Sequence, residues 1–258
     1  MGQALIQGAR ESGISGKDIS VSDPSVAARE KCASLFDTNT FSNNEEAAIN
    51  ADIVVLSVKP QITGKALQCL AASRRNNPLY ISIAAGITLD QLNKCSEKDI
   101  AIVRCMPNTP AIIRKGITAL IANQNVTKPQ RFDAENLLTA VGKIVWLNKE
   151  SLMDAVTAIS GSGPAYFFML IELLENSAVE LGLSAELAKE LAVQTAYGAC
   201  ELARNAPESP GELRLNVTSP NGTTDAALKV FAAEEIDRIV RSAVTAARDR
   251  SIELSKGN

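Results

Sequence analysis

The chain has 258 residues, of which 46% are hydrophobic and 21% charged, so it can bury a core as one large domain or two smaller ones. Its net charge of -3 gives no electrostatic reason to expect binding to nucleic acid or to an anionic membrane. The chain contains no histidine, which excludes a catalytic imidazole and histidine-ligated zinc, and we expect no metal site.

Cysteine usage and the first residues indicate a cytoplasmic protein. The five cysteines are scattered singly, which argues against a disulfide framework and fits a reducing compartment. No stretch reaches the roughly 18 consecutive apolar residues of a membrane span. Residues 1–13 lack the apolar core of a signal peptide.

The first half of the chain has the pattern of a nucleotide-binding sheet. A helical pattern covers residues 1–12, and from residue 18 to residue 147 short Val- and Ile-rich runs alternate with helical patterns. This alternation predicts a doubly wound, largely parallel α/β sheet of the Rossmann type. The predicted strands are 19–22, 53–58, 80–84, 100–104, 116–122 and 143–146. The predicted helices between them are 24–35, 45–50, 62–72, 89–94 and 129–141.

The predicted helix at residue 1 has neither a strand nor a glycine-rich loop before it, and these two elements open a dinucleotide-binding unit. In such a unit a buried strand and a glycine-rich turn come first, and the turn presents the helix amides to the pyrophosphate. Gly2 alone is too weak a signal for that fingerprint. We therefore expect a Rossmann-like sheet without its first strand, and an ordinary surface helix opening another fold stays as the alternative.

Three segments of this half follow predicted strands, where ligands of such sheets bind. Ser57-Val58-Lys59-Pro60 ends one strand, although Lys59 alone is more often a solvated loop lysine. Ala84-Ala85-Gly86 lets the backbone approach a ligand closely, and tight packing explains it equally well. In the segment 105–110, two prolines fix a loop whose polar groups are Asn108 and Thr109.

From Ser151 onward the strand signal disappears, and we predict helices over residues 164–181, 184–205 and 224–256. This pattern divides the chain into a Rossmann-like domain, residues 1–150, and a helical domain, residues 151–258. The segment 165–181 is apolar around most of its circumference, which favours burial by a second subunit over a central helix of a monomer. We therefore expect an oligomer.

Two polar segments of the helical half are candidate ligand sites. Residues 160–165, SGSGPA, place two glycines before a long apolar helix, which predicts helix amides open to a ligand. Residues 217–224, VTSPNGTT, form a hydroxyl-rich turn before the next helix, suited to a carboxylate. Each alone is also explained by simple helix capping.

Together these strings resemble the pyrroline-5-carboxylate reductase family along essentially the whole chain. The resemblance rests on LSVKP, AAGIT, RCMPNTPA, DAVTAISGSGPAYFF, VTSPNGTT and AARDRSIEL. It implies an N-terminal NAD(P)-binding domain and a C-terminal domain that interlocks into a homodimer, with higher assembly such as a decamer in some members. It also implies reduction of 1-pyrroline-5-carboxylate to L-proline, the last step of proline biosynthesis.

The resemblance also assigns site residues. The implied cofactor contacts are Ser22, Asn44, Val58, Lys59, Pro60, Ala85, Gly86 and Asn216. The implied substrate contacts are Glu150, Ser219, Gly222, Thr223 and Thr224. We expect Thr224 to be catalytic by hydrogen-bonding the ring nitrogen of the imine. Ser22, near the adenosine ribose, favours NADPH over NADH, while Asp23 beside it argues the other way.

The sequence departs from the family pattern in two places. Asn221 replaces a glycine of the usual SPGGTT, and because asparagine tolerates left-handed backbone angles we expect the turn to survive. The family usually opens with a strand and GxGNMGxAL, of which Met1 resembles the internal methionine. We favour a longer working reductase; the alternatives are a non-catalytic homologue that still dimerises and a reductase of a related imine or ketoacid.

Overall fold

Seven strands in two sheets make up the β-structure of the described residues. The structure is a computed structural model that describes residues 1–73, 76–96 and 99–256. The strands are β1 Ser20–Ser22, β2 Asn39–Phe41, β3 Ile53–Leu56, β4 Leu79–Ser82, β5 Ala101–Met106, β6 Gly116–Ala122 and β7 Gly142–Trp146. β1 pairs with β2 in parallel, while β3 to β7 form a second sheet in chain order.

The five-stranded sheet is parallel at all but one pairing. β3, β4 and β5 run parallel, as do β6 and β7, whereas β5 and β6 are antiparallel. All of β4 and the first five residues of β5 are buried, as expected for strands with helices on both faces. The predicted Rossmann-like sheet is thereby confirmed.

The strands form two separate sheets, in agreement with the expected Rossmann-like sheet without its first strand. β1 and β3 are not paired with each other, so β3 is an edge strand of its sheet. Ile53, Val54 and Val55 of β3 are only half-buried, whereas their parallel partners in β4 are fully buried. The Val and Ile content of β3 is typical of an inner strand, and here it lies at an edge.

Helices flank the sheet at the predicted places. In this half they are α1 Gly2–Glu11, α2 Val26–Phe36, α3 Asn44–Ala48, α4 Pro60–Ser73, α5 Leu89–Ser96, α6 Lys128–Thr139 and α7 Met153–Val156. The five helices predicted between strands are all present, with ends displaced by at most two residues. The sequence analysis predicts no strand at β2, whose three residues carry too short a signal.

Two buried clusters, one on each face of the sheet, form the core. Tyr80 and Ile102 point to the face covered by α4 and α5, where Leu67 and Leu92 complete one cluster. Neighbouring strand residues such as Ile81 point to the opposite face, where α1 and α6 pack. This alternation follows from the two-residue period of a strand.

Residues 163–246 form a second compact unit, and residues 1–162 with the chain from Ala247 on form the first. The remaining helices are α8 Gly163–Glu180, α9 Ala185–Asn205, α10 Pro210–Asn216, α11 Thr223–Ala233 and α12 Ile236–Lys256. The single predicted helix 224–256 is wrong, because Glu235 adopts a left-handed conformation, φ 51°, that separates α11 from α12. The turn between α8 and α9 is confirmed, with Gly182 at φ 96° and Ser184 capping α9.

Helix α10 lies between the predicted helices 184–205 and 224–256, where the sequence analysis predicts no helix. Ser209 and Glu212 form a reciprocal capping box at its start, with Pro210 in the first turn. The S-x-x-E spacing is a local helix signal, so this helix could have been predicted from the sequence.

Candidate active site

The loops after β3 and β4 lie side by side at the carboxyl edge of the sheet. β3 and β4 are parallel neighbours, so Val58, Lys59 and Pro60 share this edge with Ala85 and Gly86. Pro60 opens α4, and the Thr63 hydroxyl donates to the Lys59 carbonyl at 3.1 Å, which fixes the turn. Gly86 has φ 75°, a conformation that favours glycine.

The first turn of α1 meets the end of β3. A Cβ on Gly2 would lie 2.5 Å from the Ser57 Oγ, so any larger residue here would displace the Ser57 side chain. No side chain caps the amides of this first turn. Open amides at a helix start favour an anionic group, and the predicted cofactor carries a pyrophosphate. The residues at this edge therefore fit a dinucleotide.

Ser22 and Asn44 lie at the smaller sheet, away from the β3–β4 loops in sequence. Ser22 is the last residue of β1, and Asn44 is the first residue of α3, which packs beside β1 and β2. Asn43 rather than Asn44 caps α3, accepting from the Glu46 amide at 3.0 Å. The side chain of Asn44 is therefore not used as the helix cap.

The predicted substrate residues of the second unit lie together in the turn before α11. The Gly222 amide donates to the Ser219 carbonyl at 3.0 Å, and Gly222 is the N-cap of α11 without a side-chain cap. A Cβ on Gly222 would lie 2.4 Å from the Ser219 Oγ, so the turn is tightly closed. Thr223 and Thr224 form the first turn of α11. Asn216 ends α10 a few residues earlier, also in the second unit.

Asn221 makes this turn possible and is held by an acid. It adopts φ 61°, so the expectation that asparagine preserves the turn is confirmed. Its amide donates to the Asp225 Oδ2 at 3.0 Å, and Lys229 Nζ donates to the same oxygen at 2.8 Å. The bond from Lys229, followed by that from Asn221, holds the pKa of the Asp225 carboxyl below its ordinary 3.8. Sequence reasoning missed Asp225, although its position four residues after Asn221 is a local signal.

Glu150 is engaged within the first unit. Its Oε1 accepts from the Arg104 Nη1 at 2.6 Å and from the Leu89 amide at 2.8 Å. The Arg104 side chain is only 5% exposed and that of Glu150 is 28% exposed. The pair ties β5 to the start of α5 and to the segment leading into α7. Arg104 was missed as a functional residue, and its place within a buried strand is the signal that could have found it.

The SGSGPA segment contains the predicted helix start, because α8 begins at Gly163, but this start follows directly on another helical segment. Met153–Val156 is already α-helical, Thr157–Gly161 continues as a π-helix, and the Ser162 amide donates to the Thr157 carbonyl at 2.8 Å. A Cβ on Gly161 would lie 2.4 Å from the Met106 Cε. The glycine therefore permits close packing against Met106, the last residue of β5, and the Ser162 amide is not open to a ligand.

Asn108 in the loop after β5 also has a structural partner. Its Oδ1 accepts from the Ile117 amide at 2.9 Å, which fixes this loop to β6. The rigidity predicted from the two prolines is thus reinforced by a side chain.

Comparison with known proteins supports both halves of the chain. Residues 150–254 match the family model for pyrroline-5-carboxylate reductase dimerisation, and residues 1–86 match that for NADP oxidoreductase, coenzyme F420-dependent. The pyrroline-5-carboxylate reductase of Pseudomonas aeruginosa is 45% identical over 99% of this chain and 94% of its own length. The chain belongs to the pyrroline-5-carboxylate reductase family. The pyrroline-5-carboxylate reductase of Haemophilus influenzae is 40% identical over 98% of this chain and 94% of its own length.

Solved structures of pyrroline-5-carboxylate reductases share the fold. That of Coxiella burnetii is 37% identical, with a TM-score of 0.93 over 98% of this chain and 94% of its own. The Plasmodium falciparum enzyme, solved with NADP bound, is 32% identical, with a TM-score of 0.88 over 99% of this chain and 94% of its own. The family resemblance predicted from the sequence is therefore confirmed.

Family membership explains the exposed apolar surface of the second unit. Every residue of the two core clusters lies between Leu5 and Val156, so residues 163–246 contribute to neither. Large side chains of α8 are exposed instead, among them Phe168 at 63% and Met169 at 56%. Among the described residues, the stretch 150–180 is also long and apolar enough to cross a membrane by length and composition. The dimerisation model covers this stretch and accounts for its apolar surface by subunit contact.

Proposed function

We propose that the protein reduces 1-pyrroline-5-carboxylate to L-proline with NAD(P)H. The observation that carries the proposal is the uncapped, hydroxyl-rich start of α11, residues Ser219–Thr224, in a chain of this family. The relatives in the comparison bear the name of this activity. Cytoplasmic location and a homodimer that assembles further, as in a decamer, belong to the same proposal.

The turn before α11 suits the carboxylate of the substrate. The helix start supplies amides without side-chain partners, and Ser219 and Thr223 add hydroxyl donors within the same turn. The positive end of the α11 dipole favours an anion there. Ser219 and Thr223 thus bind the carboxylate, and Gly222 closes the turn beside it through its bond to the Ser219 carbonyl. The bound carboxylate orients the five-membered ring.

Thr224 stands next in the chain and acts on the ring nitrogen. The imine carbon accepts a hydride while the C=N π pair moves to nitrogen, which takes a proton. A hydroxyl that hydrogen-bonds this nitrogen stabilises the protonated, more electrophilic imine. The chemistry needs orientation more than acid–base groups, which is consistent with a chain that has no histidine.

The nicotinamide cofactor supplies the hydride when bound. Val58, Lys59, Pro60, Ala85 and Gly86 hold the dinucleotide at the carboxyl edge of β3 and β4. Ser22 and Asn44 contact its adenosine portion, and Asn216 contacts the nicotinamide. For Glu150 the structure favours a positioning role, since its Oε1 accepts bonds from Arg104 and Leu89.

The decisive assay follows oxidation of NADPH and NADH at 340 nm with 1-pyrroline-5-carboxylate as substrate. We expect turnover with this cyclic imine and at most a few per cent of it with open-chain 2-oxo acids. Preference for the oxo acids would favour the related-reductase alternative. A folded dimer without turnover on either substrate would favour the non-catalytic homologue.

A charge on the exposed face of α8 is expected to break the dimer. Phe168→Asp places a carboxylate on a surface that subunit contact buries, so the mass in solution falls to that of a monomer. Phe132→Asp is the matched control, because Phe132 is 62% exposed but lies on α6, outside the dimerisation match. Light scattering after size exclusion measures both masses. A dimeric Phe168→Asp variant would place the interface elsewhere.

Asp225→Asn is expected to loosen the substrate turn. The Asp225 carboxylate accepts from the Asn221 amide, and the variant loses this charge-assisted bond. We therefore expect the KM for 1-pyrroline-5-carboxylate to rise about two- to fivefold. Because the folded-state pKa is lowered, the contribution to turn stability is full above pH 3.8 and is lost as the pH falls through the folded pKa.

The control for Asp225 is Glu212, whose pKa is also lowered, by the Ser209 hydroxyl and then the Ser209 amide. Glu212→Gln removes a comparable carboxylate at α10, so it should leave KM unchanged. It should lower stability at neutral pH, and the difference from the wild type should shrink as the pH falls through the folded-state pKa of Glu212. Thermal melting between pH 3 and 7 with KM at pH 7 checks both variants. An unchanged KM for Asp225→Asn would separate Asp225 from the substrate turn.

A further inference from the structure

The last turns of α12 belong to the first unit and are tied to it by a buried hydroxyl. α12 is one continuous helix, and the first unit includes the chain from Ala247 on. Ser251 on this part of α12 is only 6% exposed, and its Oγ donates to the Asp154 Oδ1 at 2.7 Å. Because a buried hydroxyl is costly without a partner, this bond fixes the position of α12 on the first unit. The string AARDRSIEL, which contains Ser251 and has no part in the proposed chemistry, serves this contact.

Gln91 ties the same end of α12 to the start of α5. Its Oε1 accepts from the Thr88 amide at 2.8 Å and from the Thr88 hydroxyl at 3.1 Å. The Gln91 amide donates back to the Thr88 Oγ1 at 3.2 Å, which completes a reciprocal helix cap. The Gln91 Nε2 then donates to the Ser255 carbonyl at 3.0 Å. One side chain thus connects the first turn of α5 with the last turn of α12.

The helix start at Thr88 follows directly on a loop of the proposed cofactor site. Ala85 and Gly86 of this loop carry no side-chain donor or acceptor, so the residues that follow must hold the loop in position. Ile87 is buried in the core cluster, and Thr88 is bonded to Gln91. The loop is therefore anchored by the core and, through Gln91, by the end of α12.

We propose that Gln91 and Ser251 are positioning residues for hydride transfer. Their bonds to Ser255 and to Asp154 form what we call the α12 brace. This brace holds the cofactor loop, residues 85–88, in place while the hydride leaves the nicotinamide. Donor and acceptor must stay at near-attack distance, and a displacement of about 1 Å can cost roughly 100-fold in rate. The inference rests on the proposed function and adds residues that act on it through the loop.

The polar character of the α12 brace favours positioning over simple stabilisation. Apolar contacts tolerate small shifts, whereas a hydrogen bond of ordinary length is lost when its partners move apart by about 1 Å. Since α12 begins in the second unit and ends in the first, the brace makes the position of the cofactor loop depend on this helix.

Gln91→Glu removes one bond of the α12 brace with the least disturbance. The carboxylate keeps the oxygens that Thr88 binds but offers no donor to the Ser255 carbonyl. Because the cap of α5 remains, we expect this variant to fold even if Ser251→Ala does not. In steady-state kinetics, kcat for 1-pyrroline-5-carboxylate should fall about fivefold in Gln91→Glu and about tenfold in Ser251→Ala. The KM values for the imine and for NADPH should stay within about twofold, because the groups that contact both ligands are unchanged.

Two controls separate positioning from the loss of any hydroxyl or any charge. Asp154→Asn keeps an acceptor for Ser251 and should retain kcat within about threefold. Ser73→Ala removes a hydroxyl that donates to carbonyls of its own helix, α4, and should leave kcat unchanged. Wild-type kcat in both Gln91→Glu and Ser251→Ala, or a loss of kcat/KM carried by KM alone, would overturn the inference.

Hydrogen exchange of the full chain without ligands tests the α12 brace without any reduction step. Peptides that cover residues 84–92 should exchange at least about threefold faster in Gln91→Glu and Ser251→Ala than in the wild type, whereas Ser73→Ala should match the wild type. Equal exchange in all four proteins would show that the brace does not hold the loop, which also overturns the inference. Faster exchange in the variants of a chain that shows no turnover would reject the proposed function alone.

Discussion

Glu150→Ala is expected to lower the free energy of unfolding of the first unit by about 3–5 kcal/mol. The variant leaves the Arg104 guanidinium, whose side chain is 5% exposed, without its carboxylate partner. It also leaves the Leu89 amide without its acceptor at the start of α5. Urea unfolding followed by circular dichroism measures the loss.

Two further variants separate the contributions of this ion pair. Glu150→Gln keeps an acceptor but removes the charge, so we expect a smaller loss of about 1–3 kcal/mol. Arg104→Met in the Glu150→Ala background should cost much less than Arg104→Met alone, since the residues are in direct contact. Additive losses would show that the pair is not coupled.

An exposed pair provides the control. Glu253 contacts Arg250 at 2.8 Å on α12, but both side chains are more than 60% exposed. Glu253→Ala should therefore cost no more than about 1 kcal/mol. If Glu150→Ala were equally mild and instead raised the KM for the imine, Glu150 would be a substrate contact and its bond to Arg104 secondary.

The hydrophobic periodicity of the sequence predicted those strands and helices whose ends are set by neighbouring residues. The bounds of β6 are confirmed at both ends, because its apolar run is bordered by the left-handed turn at Arg114 and by Asn123. β2 was missed because Asn39–Phe41 gains its strand character from pairing with β1, a contact that no local pattern reports. Helix ends shifted by a residue or two because caps and packing fix them together.

Glycine gave the least reliable local signal. Gly161 and Gly163 correctly indicated a helix start, since α8 begins at Gly163, but the residues before it form a π-helix that the pattern did not predict. The close approach of Met106 to Gly161 supplies the reason: the missing side chain makes room for a neighbour from a distant part of the sequence. Gly222, by contrast, was predicted in a turn and is found in one.

The candidate site shows the same division between local and distant information. The turn Ser219–Thr224 could be predicted because all its members are consecutive. The bond between Arg104 and Glu150 joins residues 46 positions apart, so no local pattern could pair them.

Thr224→Ala is expected to lower kcat for 1-pyrroline-5-carboxylate about 100-fold, because the ring nitrogen loses the hydroxyl that stabilises its protonated form. The KM for NADPH and the melting temperature should change little, since Thr224 is half-buried in the first turn of α11 and caps no amide. Thr224→Ser is the matched control: it keeps the hydroxyl and should retain turnover within about threefold. Steady-state kinetics with varied imine and fixed NADPH distinguish the variants. Near-normal turnover of Thr224→Ala would remove Thr224 from the mechanism, whereas a raised KM with normal kcat would make it a second contact for the carboxylate beside Thr223.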